Sequence, residues 1–325
     1  MTPGIDKFYK KRSHLSISSL LSFARCPRKY FYSSGCRLQS LDGPHPALMF
    51  GSAMHNALPE LLQGEEATKM DRAIAKFRAI FTEEIDTLSN DSKRNISRAK
   101  AMLYDFYCSH SASGSLYQLV PPPAARLKIE DEVSDWEVPF ALDIGLSVPL
   151  VGRIDALVRH RDTKRLWGLE WKTSSELSTR FIQSFQNSPQ VIAYTLALRI
   201  FTSEPVEGIM VEGIRVSPKN CETMLMPISV PDFKVDAFIK WARYNGNMLL
   251  ECERLGEFPQ FLSGCNPYSM FGSPGYDCDF AALCSVPDWT QLKGLYAVGD
   301  DRPFVLKAVD GDDNPVKRVA LPVVQ

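Results

Sequence analysis

The sequence lacks an apolar run long enough to cross a bilayer, an excess of either charge, and any internal repeat or low-complexity tract. Its opening stretch, MTPGIDKFYKKR, has no apolar centre of a signal peptide, so we expect a cytoplasmic protein. Lysines and arginines number 37 against 38 aspartates and glutamates. That balance excludes nucleic-acid binding by overall positive charge, so any such binding needs a local groove. The absence of repeats indicates continuous folded structure.

A hydrophobic content of 45% over 325 residues can bury a sizeable core, as one large domain or two modest ones. Apolar spacing predicts helices over 48–63, 67–88 and 90–112, and a capped helix within 16–32. Period-two alternation predicts strands between 125 and 173. After these strands we expect a helix from Ser188 and Pro189, two more strands, a helix over 231–255, and a tail of short strands with DGDDNP as a turn. The predicted fold class is α/β or α+β, a mixed sheet with helices before and after it.

The stretch GLEWKTSS places two opposite charges on one face of an otherwise apolar strand. Side chains alternate along a strand, so Glu170 and Lys172 project together while Leu169 and Trp171 face the other way. Charged groups are seldom buried unless they are paired or bound to a metal, because desolvation costs several kcal/mol per ion. The pattern therefore indicates either an exposed ion pair on an edge strand or a functional site.

A third charged residue, Asp155 in VGRIDALV, lies on the strand before the predicted turn RDTK. Hairpin pairing would bring it beside Glu170, where the two carboxylates repel each other. A hard divalent cation, Mg²⁺ or Mn²⁺, would make that arrangement favourable. Lys172 would then orient or deprotonate an attacking water and stabilise charge on a phosphate.

This order of an aspartate followed by Glu-x-Lys resembles the PD-(D/E)XK nuclease superfamily. Gln190 and Tyr194, in NSPQVIAYTLAL, share one helix face at i and i+4 and resemble the Q-x-x-x-Y motif of RecB-type nucleases. His55, in FGSAMHNALPELL, is similar to the histidine of their G-x-x-x-H element. Each of these residues alone is more often structural, and it is their order along the chain that favours a site.

The resemblance implies roles for these residues. It implies a PD-(D/E)XK core and a site in which Lys172 assists the water while Gln190 and Tyr194 position the lysine and the DNA backbone. The metal ligands that it implies are His55, Asp155, Glu170 and the backbone carbonyl of Trp171.

Eight cysteines in a cytoplasmic chain are not expected to form a disulfide framework. Cys265, Cys278 and Cys284 lie close together near the C-terminus, and Cys26 in RCPRKYF is a distant fourth candidate, with Cys36 as a competitor. Thiolates suit zinc and iron-sulfur clusters alike. The pattern resembles the iron-sulfur subgroup of RecB-type nucleases, which implies a [4Fe-4S] cluster that ties the segment 256–290 to the N-terminal helix. The remaining cysteines are expected to be structural: Cys108, Cys221 and Cys252.

The resemblance thus implies a metal-dependent DNA nuclease, an exonuclease on single-stranded ends like the CRISPR-associated and phage recombination nucleases. The alternative is a DNA-binding or adaptor protein of the same fold that has lost catalysis in a recombination or CRISPR-adaptation complex. Arg25, Arg28 and Lys29 are candidate phosphate contacts because they adjoin Cys26. The expected divisions are an N-terminal segment, a helical region with His55, the nuclease core, the cysteine-rich segment and a tail, at 1–48, 49–120, 121–255, 256–290 and 291–325.

Overall fold

The computed structural model describes most of the chain between residues 6 and 318. The described ranges are 6–40, 46–63, 66–89, 91–112, 115–123, 127–129, 136–217, 222–261, 278–287, 289–292, 294–299, 306–308 and 317–318.

A five-stranded mixed sheet contains the charged strand at its centre. The central strand β8 is Leu166–Ser174, antiparallel to β7 (Ala156–His160) and parallel to β9 (Val206–Arg215). The outer strands are β3 (Tyr117–Val120) next to β7 and β10 (Thr223–Ser229) next to β9. Both predicted strands after residue 205 are therefore present, whereas β3 was not predicted.

A second sheet, of four strands, is connected to the first by the chain between β6 and β7. Its order is β1 (Leu15–Ser16), β6 (Leu150–Ile154), β5 (Val138–Asp143) and β13 (Lys317–Arg318). Between β6 and β7 the chain has a single bend residue, Asp155, so that residue lies at the passage from one sheet to the other. Two short strand pairs complete the described β structure: β2 (Leu38–Ser40) with β11 (Tyr296–Val298), and β4 (Leu127–Ile129) with β12 (Leu306–Ala308).

The helices cover the sheets. They are α1 (Ile17–Arg25), α2 (Pro27–Tyr30), α3 (Pro46–Leu61), α4 (Lys69–Ile80), α5 (Glu83–Ser89), α6 (Ile96–Ala112), α7 (Thr179–Gln186), α8 (Pro189–Phe201), α9 (Asp232–Leu255) and α10 (Ala281–Cys284). No helix of the described ranges is long and apolar enough to cross a membrane.

Alternation along β8 divides the core into two clusters. Trp167, Leu169 and Trp171 pack with the aromatic residues of α3, α4 and α6, among them Phe50 and Phe106. Leu166 packs instead with α1, α8 and α9 in the other cluster, which also includes residues of the N-terminal segment and of 280–296. Because Glu170 and Lys172 share the face of Leu166, they emerge on the side covered by α8.

The first helical region shows why local signals place elements well and boundaries less well. Ser16 caps α1 as predicted, because its hydroxyl accepts from the Ser19 backbone N–H at 3.1 Å and the Ser19 hydroxyl accepts from the Ser16 N–H at 3.0 Å. The helix ends at Arg25, Cys26 is extended, and a new helix starts with Pro27 at its first position. Proline lacks the N–H that a helix interior requires but suits a first turn.

Other boundaries differ from the prediction. The expected helix over 67–88 is two helices, because Phe81 leaves the helical conformation and is fully buried. The expected helix over 90–112 begins only at Ile96, and α7 was not predicted. Pro189 does start α8, although the Ser188 side chain makes no capping hydrogen bond. The turn DGDDNP lies outside the described residues, and the five expected divisions of the chain stay a prediction.

Candidate active site

The bend at Asp155 places its carboxylate against the charged part of β8. Ala156 pairs with Leu169 in the antiparallel register, so the next position along sets Asp155 opposite Glu170. Asp155 Oδ2 accepts a hydrogen bond from the Trp171 backbone N–H at 2.8 Å. The hairpin expected from the sequence therefore brings the two carboxylates together on one face.

Glu170 is the buried centre of the site, with only 3% of its surface exposed. Its Oε1 accepts hydrogen bonds from the Lys172 ammonium and from Gln190 Nε2, the latter at 3.0 Å. Its Oε2 is buried and has no hydrogen-bond partner in the described part of the chain. A buried carboxylate oxygen without a partner is unusual, and it indicates room for a ligand at that oxygen.

His55 reaches the site from α3. Its Nδ1 lies 3.3 Å from Asp155 Oδ2. The helix comes close to the end of β8 at Gly51, where an added Cβ would lie 3.1 Å from Thr173 Oγ1. Gly51 lies one helical turn before His55, so this close approach of α3 to β8 brings the His55 side chain within reach of Asp155.

Gln190 and Tyr194 complete the site from α8, where i and i+4 spacing puts both on one face. Gln190 Nε2 donates to Glu170 Oε1 and also to the Tyr194 hydroxyl oxygen, at 2.9 Å. The Tyr194 ring packs edge-on against Phe140, with ring centres 5.7 Å apart. The tyrosine thus keeps its own O–H proton available for another acceptor.

The two carboxylates respond differently to their surroundings. Burial, together with the neighbouring negative charge of Asp155, raises the pKa of Glu170 to about 7. Burial also acts to raise the pKa of Asp155, but the facing His55, helped by Lys172 and the Trp171 N–H, leaves that pKa below its usual value. The surroundings therefore favour the ionised form of Asp155 and act against the ionised form of Glu170.

The two basic groups favour their charged forms. Burial acts to lower the pKa of His55 and of Lys172, but the adjacent carboxylates outweigh it and raise both pKa values. Asp155 is the main partner of the histidine and Glu170 that of the lysine. The site is thus a cluster of four mutually compensating charges.

The donor set fits a hard divalent cation. No group of three His, Cys, Asp or Glu side chains within the described ranges is already arranged to hold a metal. However, the unpartnered Oε2 of Glu170 and the adjacent Asp155 carboxylate offer oxygen ligands, and His55 offers a nitrogen. The Trp171 carbonyl as a further ligand stays a prediction.

The opposite face of β8 carries a buried polar network that was not predicted. Glu212 on β9, 3% exposed, accepts hydrogen bonds from Tyr117 Oη at 2.6 Å and from Trp171 Nε1 at 3.1 Å. His110 Nε2 lies 3.1 Å from its other oxygen. A glutamate inside the apolar stretch GIMVEGIRV was a signal of the same kind as Glu170, and the reasoning used for β8 could have found it.

The three candidate cluster cysteines within the described ranges belong to two segments that pack on each other. Cys26 is buried, Cys278 and Cys284 are half-buried, and these last two lie near Tyr296. The Tyr32 ring packs on Phe280 at 5.7 Å, next to α10. Cys265 and Cys221 lie outside the described residues. Cys36 is fully buried, and this burial is the main reason why the pKa of its thiol is raised to about 12. Cys108 and Cys252 are half-buried and free.

The basic residues near Cys26 have intramolecular partners. Arg28 Nε donates to the Phe258 carbonyl at 2.7 Å, and Lys29 Nζ lies 3.7 Å from Asp279. Arg25 ends α1. In this structure Arg28 and Lys29 join the N-terminal helices to the segments after α9, and their contact with DNA stays a prediction.

Comparison with known proteins identifies the family. The sequence profile of the PD-(D/E)XK nuclease superfamily matches residues 14–250. A solved structure of a candidate exonuclease from Eubacterium rectale is similar over 78% of this chain and 86% of its own, with 12% identity and a TM-score of 0.47. The solved structure of the protein SSO0001 is similar over 74% and 78%, with 12% identity and a TM-score of 0.27.

A comparison with curated proteins finds no match. Both TM-scores lie below 0.5, so the assignment depends on the sequence profile, which spans most of the chain and contains Asp155, Glu170 and Lys172. The protein belongs to the PD-(D/E)XK nuclease superfamily and is a nuclease.

Proposed function

We propose that this nuclease is a divalent-metal-dependent deoxyribonuclease that hydrolyses phosphodiester bonds from single-stranded DNA ends, in recombination, repair or CRISPR adaptation. One observation carries the proposal: Asp155, Glu170, Lys172 and His55 converge at the end of β8, and the buried Oε2 of Glu170 has no partner among the described residues.

His55, Asp155, Glu170 and the Trp171 carbonyl would hold the metal. A bound Mg²⁺ or Mn²⁺ supplies Lewis-acid polarisation of the phosphate and lowers the pKa of the attacking water. The chain itself keeps these ligands in place, because the Trp171 N–H orients Asp155 and Gln190 orients Glu170.

Lys172 would act on the phosphate as a cation. Its side chain is 29% exposed, so the ammonium can reach a substrate while it contacts Glu170. Burial acts against its charge, but Glu170 leaves the pKa of Lys172 raised, and the protonated form therefore prevails. A protonated amine donates hydrogen bonds to phosphate oxygens and cannot accept a proton, so charge stabilisation is the favoured role.

Gln190 and Tyr194 would position the lysine and the substrate. Gln190 shares the Oε1 acceptor of Glu170 with Lys172, which fixes the carboxylate from a second direction. The Tyr194 hydroxyl receives its hydrogen bond from Gln190, so its proton is free to be donated to the DNA backbone.

Cleavage of single-stranded DNA labelled at each end in turn tests the proposal. We expect Mn²⁺ or Mg²⁺ to support stepwise shortening from one end, EDTA to abolish it, and Lys172→Ala to remove it. Lys76 is an exposed lysine on α4, so Lys76→Ala serves as the matched control and should cleave DNA at the rate of the parent. Binding without metal-dependent cleavage would refute the proposal in favour of the adaptor role. Cleavage unchanged in Lys172→Ala would instead refute the assignment of the active site.

We infer in addition that Cys26, Cys265, Cys278 and Cys284 hold a [4Fe-4S] cluster. The contact between Tyr32 and Phe280 and the ion pair between Lys29 and Asp279 support this, because they bring the two cysteine-bearing segments together. Thiolate ligands suit the cluster, which would staple a segment with few apolar residues. A brown protein whose visible absorbance bleaches on reduction is expected. A colourless protein with one zinc per chain would refute the cluster and indicate a structural zinc site.

A further inference from the structure

A groove of about 410 Å³ opens directly from the candidate active site. His55 and Lys172 line it, and so does Arg94, which lies in the bend before α6. The rest of the lining comes from the first turns of α3, the end of β8 and the residue after β9: Ala47, Leu48, Gly51, Ser52, Thr173 and Val216. A strand that presents its scissile phosphate to Lys172 must extend away from the active site on at least one side, and this groove adjoins the site.

An ion pair orients the Arg94 guanidinium and leaves some of its N–H donors able to bind a ligand. Its Nη1 lies 3.0 Å from Asp91 Oδ2, and Asp91 is itself fixed by the Lys93 backbone N–H at 2.8 Å. The Arg94 side chain is 22% exposed. A guanidinium has five N–H donors in a planar fork, and that fork matches two oxygens of a phosphate. The contact with Asp91 thus orients the group without using all of its donors.

The other walls suit a nucleic-acid strand. Ser52 and Thr173 contribute hydroxyl groups, and Gly51 leaves the floor without a side chain where α3 approaches β8. Leu48 stands at the wall with 71% of its surface exposed, which is high for a leucine. An apolar side chain beside phosphate-binding groups can contact the face of a sugar or a base.

We propose that this groove binds the DNA strand next to the scissile phosphodiester and that Arg94 is the side chain that contacts a neighbouring phosphate. The proposal rests on the proposed function, since it takes Lys172 to mark the scissile phosphate. It adds a substrate-binding residue outside the metal and lysine site.

The size of the effect follows from the charges in the groove. Asp91 offsets the charge of Arg94, so the contact contributes mainly through directed hydrogen bonds rather than through net charge. One charge-assisted contact of this kind, partly exposed to water, corresponds to about tenfold in affinity. The slope of log K against log salt should fall by about 0.7 at most, the value for one phosphate contact on single-stranded DNA.

Binding is best measured where cleavage cannot occur. The full chain carrying Asp155→Asn is titrated against fluorescently labelled single-stranded DNA at several salt concentrations. We expect Arg94→Gln to raise the Kd about tenfold and Arg94→Lys to restore part of the loss. Arg78→Gln is the matched control, because Arg78 lies on α4 outside the groove and forms an ion pair of similar length, 2.9 Å, with Glu83.

A Kd for Arg94→Gln within twofold of the parent overturns the inference, and so does an equal loss in Arg78→Gln. A thermal melt checks that Arg94→Gln is folded. If it melts early, Arg94→Lys provides the reading: a raised Kd supports a contact made by the planar guanidinium, and a Kd equal to that of the parent overturns it. The proposed function fails separately, through absence of metal-dependent cleavage by the unmodified chain, so the two failures are distinguishable.

Discussion

Replacing the buried Glu212 should destabilise the fold strongly, because one carboxylate serves three partners on the back of β8. Oε2 accepts from Tyr117 Oη at 2.6 Å and from Trp171 Nε1 at 3.1 Å, and Oε1 lies 3.1 Å from His110 Nε2. Glu212→Leu leaves the indole N–H without an acceptor and His110 without its counter-charge, and the Tyr117 hydroxyl keeps only His110 Nε2, 3.3 Å away, as a weaker partner.

The expected cost follows from those three losses. Each buried donor left without a partner costs about 1–3 kcal/mol. Removing one member of a buried ion pair costs about 3–5 kcal/mol. His110 can release its proton and keeps its contact with the Phe106 carbonyl at 2.9 Å, and leucine adds apolar contact, so the penalties do not sum in full. We expect Glu212→Leu to lower the free energy of unfolding by about 3–5 kcal/mol.

A second replacement tests whether the orphaned donors are the cause. Tyr117→Phe should cost about 1–3 kcal/mol less in the Glu212→Leu background than in the parent, because the hydroxyl has already lost its 2.6 Å bond to Glu212 and keeps only the 3.3 Å contact with His110 Nε2. Urea unfolding followed by tryptophan fluorescence and far-UV circular dichroism measures both variants. A loss below about 1 kcal/mol for Glu212→Leu, or an equal cost of Tyr117→Phe in both backgrounds, would refute the reasoning.

Three further outcomes are expected. Lys172→Arg keeps the charge but should lower the cleavage rate roughly a hundredfold, because the larger guanidinium cannot take the position of the ammonium against Glu170. A gel assay measures the rate, and a rate within threefold of the parent would contradict this prediction. Mn²⁺ at a hundred times its Kd should raise the free energy of unfolding by about 2.7 kcal/mol. In a thermal-shift titration, Glu170→Gln should lose most of that stabilisation, and an equal stabilisation of the variant would exclude Glu170 as a ligand. Burial acts to lower the pKa of His110, but Glu212 leaves it raised above 6.5, so the stability from this pair is complete below pH 6.5 and declines as pH rises through the raised pKa. Urea midpoints from pH 6 to pH 9 should therefore fall more steeply in the parent than in His110→Gln, and parallel curves would refute the linkage.

Much of the fold was predictable because its signals are local. The mixed α/β class is confirmed, and α3, α9, the β7–β8 hairpin and α8 with Pro189 at its start lie close to where periodicity and turn residues place them. Such signals depend on side-chain spacing within one element, which backbone geometry sets. Where the structure differs, tertiary packing overrides the local pattern. Phe81 interrupts a helical sequence in order to enter the aromatic cluster with Phe50 and Phe77.

The candidate site divides in the same way. Asp155, Glu170 and Lys172 were predictable as a group, since pairing across one hairpin and alternation along one strand bring them together. Gln190 and Tyr194 follow from the helical repeat. Their metal and catalytic roles stay predictions, as does the cluster that the cysteines would hold, because Cys265 lies outside the described residues.

The sequence by itself determined the order of the elements, the family and the charged face of the central strand, because each depends on spacing along the chain. Tertiary structure alone decided that Glu212 accepts from or contacts three residues behind Trp171 and that Arg94 lines the groove beside Lys172. It also decided the direct contact between His55 and Asp155, two residues that the family resemblance had already assigned to one site. These contacts join residues about 40 to 100 positions apart. They arise from how the helices pack on the two faces of the sheet, and that packing depends on the complementarity of whole surfaces rather than on any one stretch.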